Sequence, residues 1–320
     1  MDIITLGEAF IDFFAAQSGF KLSEVSNFIR VPGGAPANVA VGAAKLGAKS
    51  SFIGRVGDDY FGRFLEDTLK LNNVDTSLMQ FDNYARTGLA FVAVPTPTTQ
   101  QYLFYRNPGA DMMLSADEFD ASKIQKTKIF HFGSISLISN PSREATLKAV
   151  DIAKSGGAII SYDPNLRMSL WPEGVSPKRQ LKEVINLADV IKLNDTEIKF
   201  IFEDKSIDEG ISEILSLGPK LCILTMGSEG SVYATKDFRG SVKTFLDVPA
   251  VDTTGCGDSF VAALLVGIIE ENFDLILKNE KSVIEIIKRA SAAATLTSTK
   301  KGVIPALPTK GEVDLFLKNY

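Results

Sequence analysis

The chain has 320 residues, 45% of them hydrophobic and 23% charged, a composition that supports a full globular core and excludes a disordered or low-complexity chain. Its 34 Lys and Arg against 39 Asp and Glu give a net charge of -5 with no basic cluster, which argues against a nucleic-acid partner. The longest apolar run, 260–269, is about half of the roughly 20 residues a helix needs to cross a bilayer, so no membrane partner is expected.

In chain order, residues 1–7 lack a basic stretch and a cleavage site and read as a first strand rather than a signal peptide. The turn after it, Gly7-Glu8-Ala9-Phe10, is not the Gly-x-Gly-x-x-Gly of dinucleotide-binding folds. Residues 12–31 read as extended. Gly33-Gly34-Ala35-Pro36-Ala37-Asn38 is a glycine-rich loop opening an apolar helix over 39–47. Residues 42–50 approach a P-loop only with Ala48 inserted and a strand, not a helix, behind them. Between Thr87 and Arg106, two β-rich runs flank Pro95-Thr96-Pro97-Thr98-Thr99, the pattern of a hairpin.

Further on, apolar runs at 128–132, 158–162, 190–193 and 221–225 alternate with helical spacing over 142–155 and 178–187, with Pro141 and Pro177 near the helix starts. That order predicts βαβ units and a parallel sheet. His131, the only histidine, lies between Phe130 and Phe132 and reads as a packed residue, which disfavours a Ser-His-Asp triad. Cys222 and Cys256 are far apart and outside any metal-binding spacing, so a reducing, cytoplasmic location is expected and a structural zinc site is not. No repeat or linker divides the chain. The economical architecture is one α/β domain over 1–320, with segments 12–31 and 87–106 forming a small β-layer as a lid over a cleft.

Asp252-Thr253-Thr254-Gly255-Cys256-Gly257-Asp258 runs straight into the apolar stretch 259–265, a tight turn opening a buried helix. The unpaired backbone N–H groups of a first helical turn, with the positive end of the helix dipole, form a site for an anion such as phosphate. A carboxylate is out of place if the site only binds phosphate. It makes sense as a base that takes the proton of an attacking hydroxyl. Taken alone, Asp258 serves equally well as a helix cap.

The two glycine-rich turns together resemble the paired signatures of the ribokinase-like sugar kinases, the PfkB family, over essentially the whole chain. Within that family Gly33-Gly34-Ala35-Pro36-Ala37-Asn38-Val39-Ala40, Phe104-Tyr105-Arg106-Asn107-Pro108-Gly109-Ala110-Asp111 and Tyr162-Asp163-Pro164-Asn165-Leu166-Arg167 are most similar to fructokinases. The resemblance implies a ribokinase-like three-layer α/β/α domain with a mostly parallel central sheet and a small β-sheet lid. It implies transfer of the γ-phosphate of ATP to a sugar hydroxyl, foremost D-fructose to fructose 6-phosphate. Other acceptors stay open, among them ribose, aminoimidazole riboside and 2-keto-3-deoxygluconate. So does a catalytically silent sugar or nucleotide sensor on the same fold.

By the same resemblance Asp258 is the general base, and the backbone at Gly255, Cys256 and Gly257 is the anion hole. Asp12, at the end of the first strand, meets the sugar together with Gly33, Gly34, Asn38, Arg106 and Arg167. Arg106 also reads as a surface residue paired with Asp111. Asn165 and Asn194, with Gly255 and Gly257, meet the nucleotide. Thr225, Gly227 and Gly230 join them, although a plain strand-to-strand turn competes there. Glu197 positions Mg²⁺ through water, while on spacing alone 196–202 is simply a helix start. Residues 290–305 flank the adenine and, with Asp252, are the implied place of a monovalent cation such as K⁺. Exposed sheet edges make a homodimer through the lid a further expectation.

Overall fold

A computed structural model describes residues 1–96 and 99–320. Its strands begin with β1 (Ile3–Leu6), β2 (Phe10–Ala15), β3 (Phe28–Gly33), β4 (Ser50–Ile53), β5 (Arg55–Gly57), β6 (Gln80–Asp82) and β7 (Leu89–Thr96). They continue with β8 (Thr99–Tyr105), β9 (Ile129–Phe132), β10 (Ile159–Tyr162), β11 (Val190–Asn194), β12 (Leu221–Thr225), β13 (Ser231–Ala234) and β14 (Arg239–Val242). The main sheet has eight strands in the order β14-β13-β12-β11-β10-β9-β1-β4. From β12 to β4 neighbouring strands are parallel, and β13 and β14 turn back antiparallel at one edge.

The apolar runs predicted as strands are therefore interior strands of a sheet covered on both faces. Successive residues still alternate between two cores. Ile4, Leu6, Phe130, Phe132, Ile160 and Leu193 enter one, and Ile3, Ile129, Val190, Leu221 and Ile223 enter the other. Each such side chain contributes roughly 1.5–3 kcal/mol on burial, so a one-residue slip, which would exchange the two sets, is strongly disfavoured. His131 fits the same pattern. It is buried with Nδ1 3.0 Å from Ser161 Oγ, and burial holds its pKa down to about 4, so the ring is neutral.

The predicted helices follow the same logic. One spans Ser142–Ser155 and another Pro177–Ile185, the latter starting on the proline itself with Ser176 as its cap. The Cys256–Glu270 helix is buried along most of its length, as expected of a helix that is apolar all round. It packs beside the Ala35–Lys45 helix, where a Cβ on Gly42 would lie 2.7 Å from Ala262 Cβ. That close approach brings the two helix N-termini together at one end of the sheet. No helix among the described residues is long and apolar enough to cross a membrane.

A second sheet has the order β3-β2-β7-β8, with β2 parallel to β7 and the outer pairs antiparallel. It is built from the 87–106 hairpin, whose predicted turn residues Pro97 and Thr98 lie outside the described residues, and from the two ends of 12–31; the middle of that segment is not extended but bends through a 3-10 turn at Leu22–Glu24. Ile11, on the underside, packs with Val41, Phe52 and Leu65 in a third core. One placement differs from the sequence reading. Asp12 is not at the end of the first strand, because β1 stops at Leu6 and the chain bends at Gly7, against the ring of Pro36, to enter β2. Asp12 thus belongs to the small sheet.

In the main sheet the chain steps from β1 to β4 on one side and from β9 onward on the other. The switch point therefore lies between β1 and β9, and open α/β sheets bind ligands outside the carboxyl ends of the strands at such a point.

Candidate active site

At that end of the sheet, a cavity of about 300 Å³ opens between the strand ends and the small sheet. Its floor carries Glu8 after β1, Asn165 and Arg167 after β10, Lys192 and Asn194 on β11, and the turn that opens the Cys256–Glu270 helix. Asp12 and Tyr102 reach it from the small sheet. A second cavity of about 520 Å³ lies on the other side of the turn. Thr225, Gly227 and Gly230 line it, with Phe245, Val248, Ala294 and the side of Cys256. Only Thr253 and Gly257 are common to the two linings among the described residues.

The turn needs its first glycine twice over. Gly255 caps the helix at φ 80°, in the left-handed region, and a Cβ there would fall 2.3 Å from Val303 Cγ1. Three residues on, Asp258 is buried, and its Oδ2 accepts a bond of 2.8 Å from Asn38 Nδ2. That contact lies one turn back along both helices from Gly42 and Ala262. Asp258 Oδ1 accepts a second bond, 3.3 Å, from Asn165 Nδ2. Asn165 itself sits at φ 42°, with its N–H donating to Asp163 Oδ1 at 3.1 Å.

Burial pushes the Asp258 carboxyl up to about 6; the Asn38 bond pulls against it and the Asp163 charge adds to it. Burial likewise pushes Asp12 up to about 7, with Arg167 opposing and Asp258 reinforcing the shift. Glu8 also rises to about 7 by burial, helped by Asp111, although its Oε1 accepts from Ala35 N at 3.2 Å. The Cys256 thiol is pushed up to about 12 by burial and the charges of Asp252 and Asp258, so it stays protonated. Its backbone, not its sulfur, is what the turn presents.

The structure does not bring every expected residue to the wall. Arg106 is a correction: it is neither exposed nor on the cavity lining. It is buried over the Phe10 ring, with Nε donating to Asp111 Oδ2 at 2.9 Å and Nη2 to the same oxygen. The ion pair forms because a buried guanidinium has to be matched by a carboxylate. Gly33 is also off the wall, and its bare Cα leaves room for Asp12, whose Oδ2 would sit 2.0 Å from a Cβ there. Gly34 and Asn38 do line the cavity. Asp252 acts from behind: its Oδ1 accepts from Thr254 N at 2.9 Å and its Oδ2 from Gly302 N at 3.1 Å, tying the turn to the loop after the Glu280–Ser298 helix.

Glu197 and Asn194 form a capping box at the Asp195–Ile201 helix. Glu197 Oε2 accepts from Asn194 N at 2.9 Å, Oε1 from Leu166 N at 2.8 Å, and Asn194 Oδ1 from Glu197 N at 2.8 Å. Each carboxylate oxygen accepts one of these bonds and has capacity for another, and Glu197 lies on the cavity lining. Among the described residues no group of three or more His, Cys, Asp or Glu is placed to cage a metal. One carboxylate and no cage fit a Mg²⁺ that keeps its waters and is held largely by phosphate oxygens.

Two charged wall residues were not singled out from the sequence, Glu8 and Lys192. Each was signalled only as a lone charge in an apolar strand or at its end. Lys192 donates to Asp163 Oδ2 at 3.0 Å and is buried.

Comparison with known proteins adds to this geometry. The family profile described as pfkB family carbohydrate kinase matches residues 1–310. Probable fructokinase-2 of Arabidopsis thaliana is 46% identical over 317 residues, covering 99% of this chain and 95% of its own. The crystal structure of a fructokinase with bound ATP from Xylella fastidiosa is similar at TM-score 0.93 and 30% identity, over 99% of this chain and 98% of that one. A double mutant of the Vibrio cholerae O395 fructokinase, in its fructose, ADP and potassium ion bound form, is similar at TM-score 0.89 and 32% identity, over 99% and 98%.

Proposed function

The chain belongs to the pfkB family of carbohydrate kinases, phosphotransferases with an alcohol group as acceptor, and from that premise we propose that it transfers the γ-phosphate of ATP to D-fructose, giving fructose 6-phosphate. One observation carries the proposal. Asp258 is a buried carboxylate, held by Asn38 and Asn165, beside a helix N-terminus that faces both cavities. The sugar lies in the polar cavity against Asp12, Asn38 and Arg167. The adenosine lies in the apolar one, near Thr225, Gly227 and Gly230, with its phosphates reaching past Gly257.

In the reaction a sugar hydroxyl oxygen attacks the γ-phosphorus while its proton passes to Asp258, and ADP leaves with the electron pair of the broken P–O bond. The backbone N–H groups at Gly255 and Gly257 offset the charge of the transferring group, joined by that of Cys256, which in this structure donates to Thr253 O at 3.3 Å and has to release it. A carboxyl near 6 suits a base working close to neutral pH. Glu197 would hold Mg²⁺ through water, with Asn194 near the nucleotide phosphates; when bound, the ion neutralises charge on the phosphate oxygens. Asp252 and the loop it is tied to are the proposed place of K⁺, an ion also bound in the Vibrio cholerae O395 fructokinase structure.

Three acidic side chains on the sugar wall, Glu8, Asp12 and Asp258, favour a neutral sugar over a sugar acid. We place the enzyme in the cytoplasm, with both cysteines free. The small sheet ends in the edges β3 and β8, which expose Ile29, Leu103 and Tyr105, and pairing of two copies through them fits these surfaces. A monomer in sedimentation at working concentration would count against that pairing.

The deciding experiment is ADP release from Mg²⁺–ATP across fructose, ribose, other hexoses, nucleosides and keto-sugar acids. Selective turnover of fructose is expected. Selective turnover of another acceptor replaces the substrate, and no turnover with any of them points to a sensor.

A further inference from the structure

We infer that Lys192 contacts the phosphoryl group in transfer: its ammonium meets the γ-phosphate beside Gly257, and Asp163 is the counter-ion that holds it in place between turnovers. The inference deepens the kinase reading above and rests on it.

Lys192 stands where a cation is unfavourable by default. β11 runs inside the sheet between β10 and β12, and the neighbours Ile191 and Leu193 are wholly buried. An ammonium in such a strand is costly unless it is paired. Lys192 is 7% exposed, and Nζ donates to Asp163 Oδ2 at 3.0 Å. That uses one of three N–H donors. The ammonium stands against the helix-opening turn, since a Cβ built on Gly257 would come 3.4 Å from Nζ. The close ion pair with Asp163 keeps the ammonium charged.

The charge balance of the wall needs a cation there. Among the described residues Glu8, Asp12, Glu197 and Asp258 line the cavity with only Lys192 and Arg167 against them. Arg167 is exposed and coupled to Asp12, on the sugar side. A triphosphate brought to this turn therefore meets carboxylates, with Lys192 the cation beside the turn.

The bland alternative is that Lys192 only neutralises Asp163 inside the fold, and two variants separate the readings. Lys192→Met removes the ammonium, and Lys192→Met with Asp163→Asn removes the whole pair, leaving no unmatched buried charge if the single variant folds poorly. Each is assayed for ADP release with fructose, and by calorimetry for binding of ADP with and without aluminium fluoride, which mimics the phosphoryl group. We expect both to lose on the order of 10²–10³-fold in kcat, the loss typical of one donor to a transition-state charge. The KM for fructose should change by less than about threefold, since that contact is made mainly in the transition state. ADP alone should bind as before, and the tightening by aluminium fluoride should vanish. Wild-type kcat in the double variant, or undiminished aluminium fluoride binding in either, overturns the inference while leaving the kinase reading standing. A wild-type protein that turns over no acceptor overturns both.

Discussion

The two cavities meet at one turn and differ chiefly in charge. On the proposed sugar side Phe10, Phe14 and Phe104 share the wall with six charged side chains, and burial raises the pKa values of Glu8, Asp12 and Asp258. On the other side Phe245, Leu246, Val248, Phe260 and Ala294 give a mainly apolar surface, edged by uncharged hydroxyls such as Thr225, Ser228, Ser291 and Thr295, and no charged side chain lines it among the described residues. The difference reflects what each must hold. A polyhydroxylated ligand is positioned by donors and acceptors aimed at each oxygen, whereas a flat heteroaromatic base is held largely by the surface it buries. The cost of the first design is desolvated carboxyls, and the proposed base, Asp258, owes its raised pKa mainly to that desolvation.

Substitutions should separate the two sides, and the largest effect belongs to the turn they share. Asp258→Asn is expected to lower kcat by on the order of 10²–10⁴-fold. Its stability should move the other way. The native carboxyl, at about 6 against an ordinary 3.8, resists ionising in the fold, so above pH 6 the native protein is penalised by on the order of 2–3 kcal/mol that the amide escapes. Thermal melts should show the variant more stable at pH 8, with the gain fading as pH falls through 6 and gone below 3.8. A variant less stable at pH 8 than the native protein would contradict the burial argument. For the same reason, native kcat/KM should fall as pH drops through about 6, when the base becomes protonated.

Next in size is Asp12→Ala, which removes a charged acceptor from the sugar side alone. The KM for fructose should rise roughly 10–100-fold with the KM for ATP unchanged. Equal effects on both would erase the distinction between the cavities. The mirror experiment is Ala294→Phe, which fills apolar volume on the nucleotide side. It should raise the KM for ATP roughly tenfold and leave fructose binding by calorimetry intact. The smallest effect is expected at Gly42→Ala. A methyl 2.7 Å from Ala262 Cβ must force the helices apart, at about 1–3 kcal/mol of stability, and should weaken kcat by a few-fold through the Asn38–Asp258 contact one turn away.

The parts of this site that were legible in the sequence are those whose chemistry is local. Gly255 and Gly257 mark a glycine-rich helix start within a few residues, and Gly33 to Asn38 mark another. The strands were legible because an interior parallel strand is a short continuous apolar run. What stayed hidden depends on distance in space. Arg106 and Asp111 are five residues apart, so their pairing was readable, but nothing local says that the pair lies buried behind the wall rather than on it. Lys192 is one charge in an apolar run, and its meaning appears only when β10 places Asp163 beside it. The apolar wall around 244–250 carries no motif, because shape and backbone do the work there. Asp12 was read as lying at a strand end, since the bend at Gly7 is imposed by Pro36, a residue far along the chain.

The linings share no more than Thr253 and Gly257 among the described residues, and this bears on the order in which substrates are taken up. Placed as proposed, neither ligand has to arrive to complete the other's walls. Initial-rate kinetics can therefore begin from either substrate, with each binary complex a stable resting point, and only the turn registers that both have arrived.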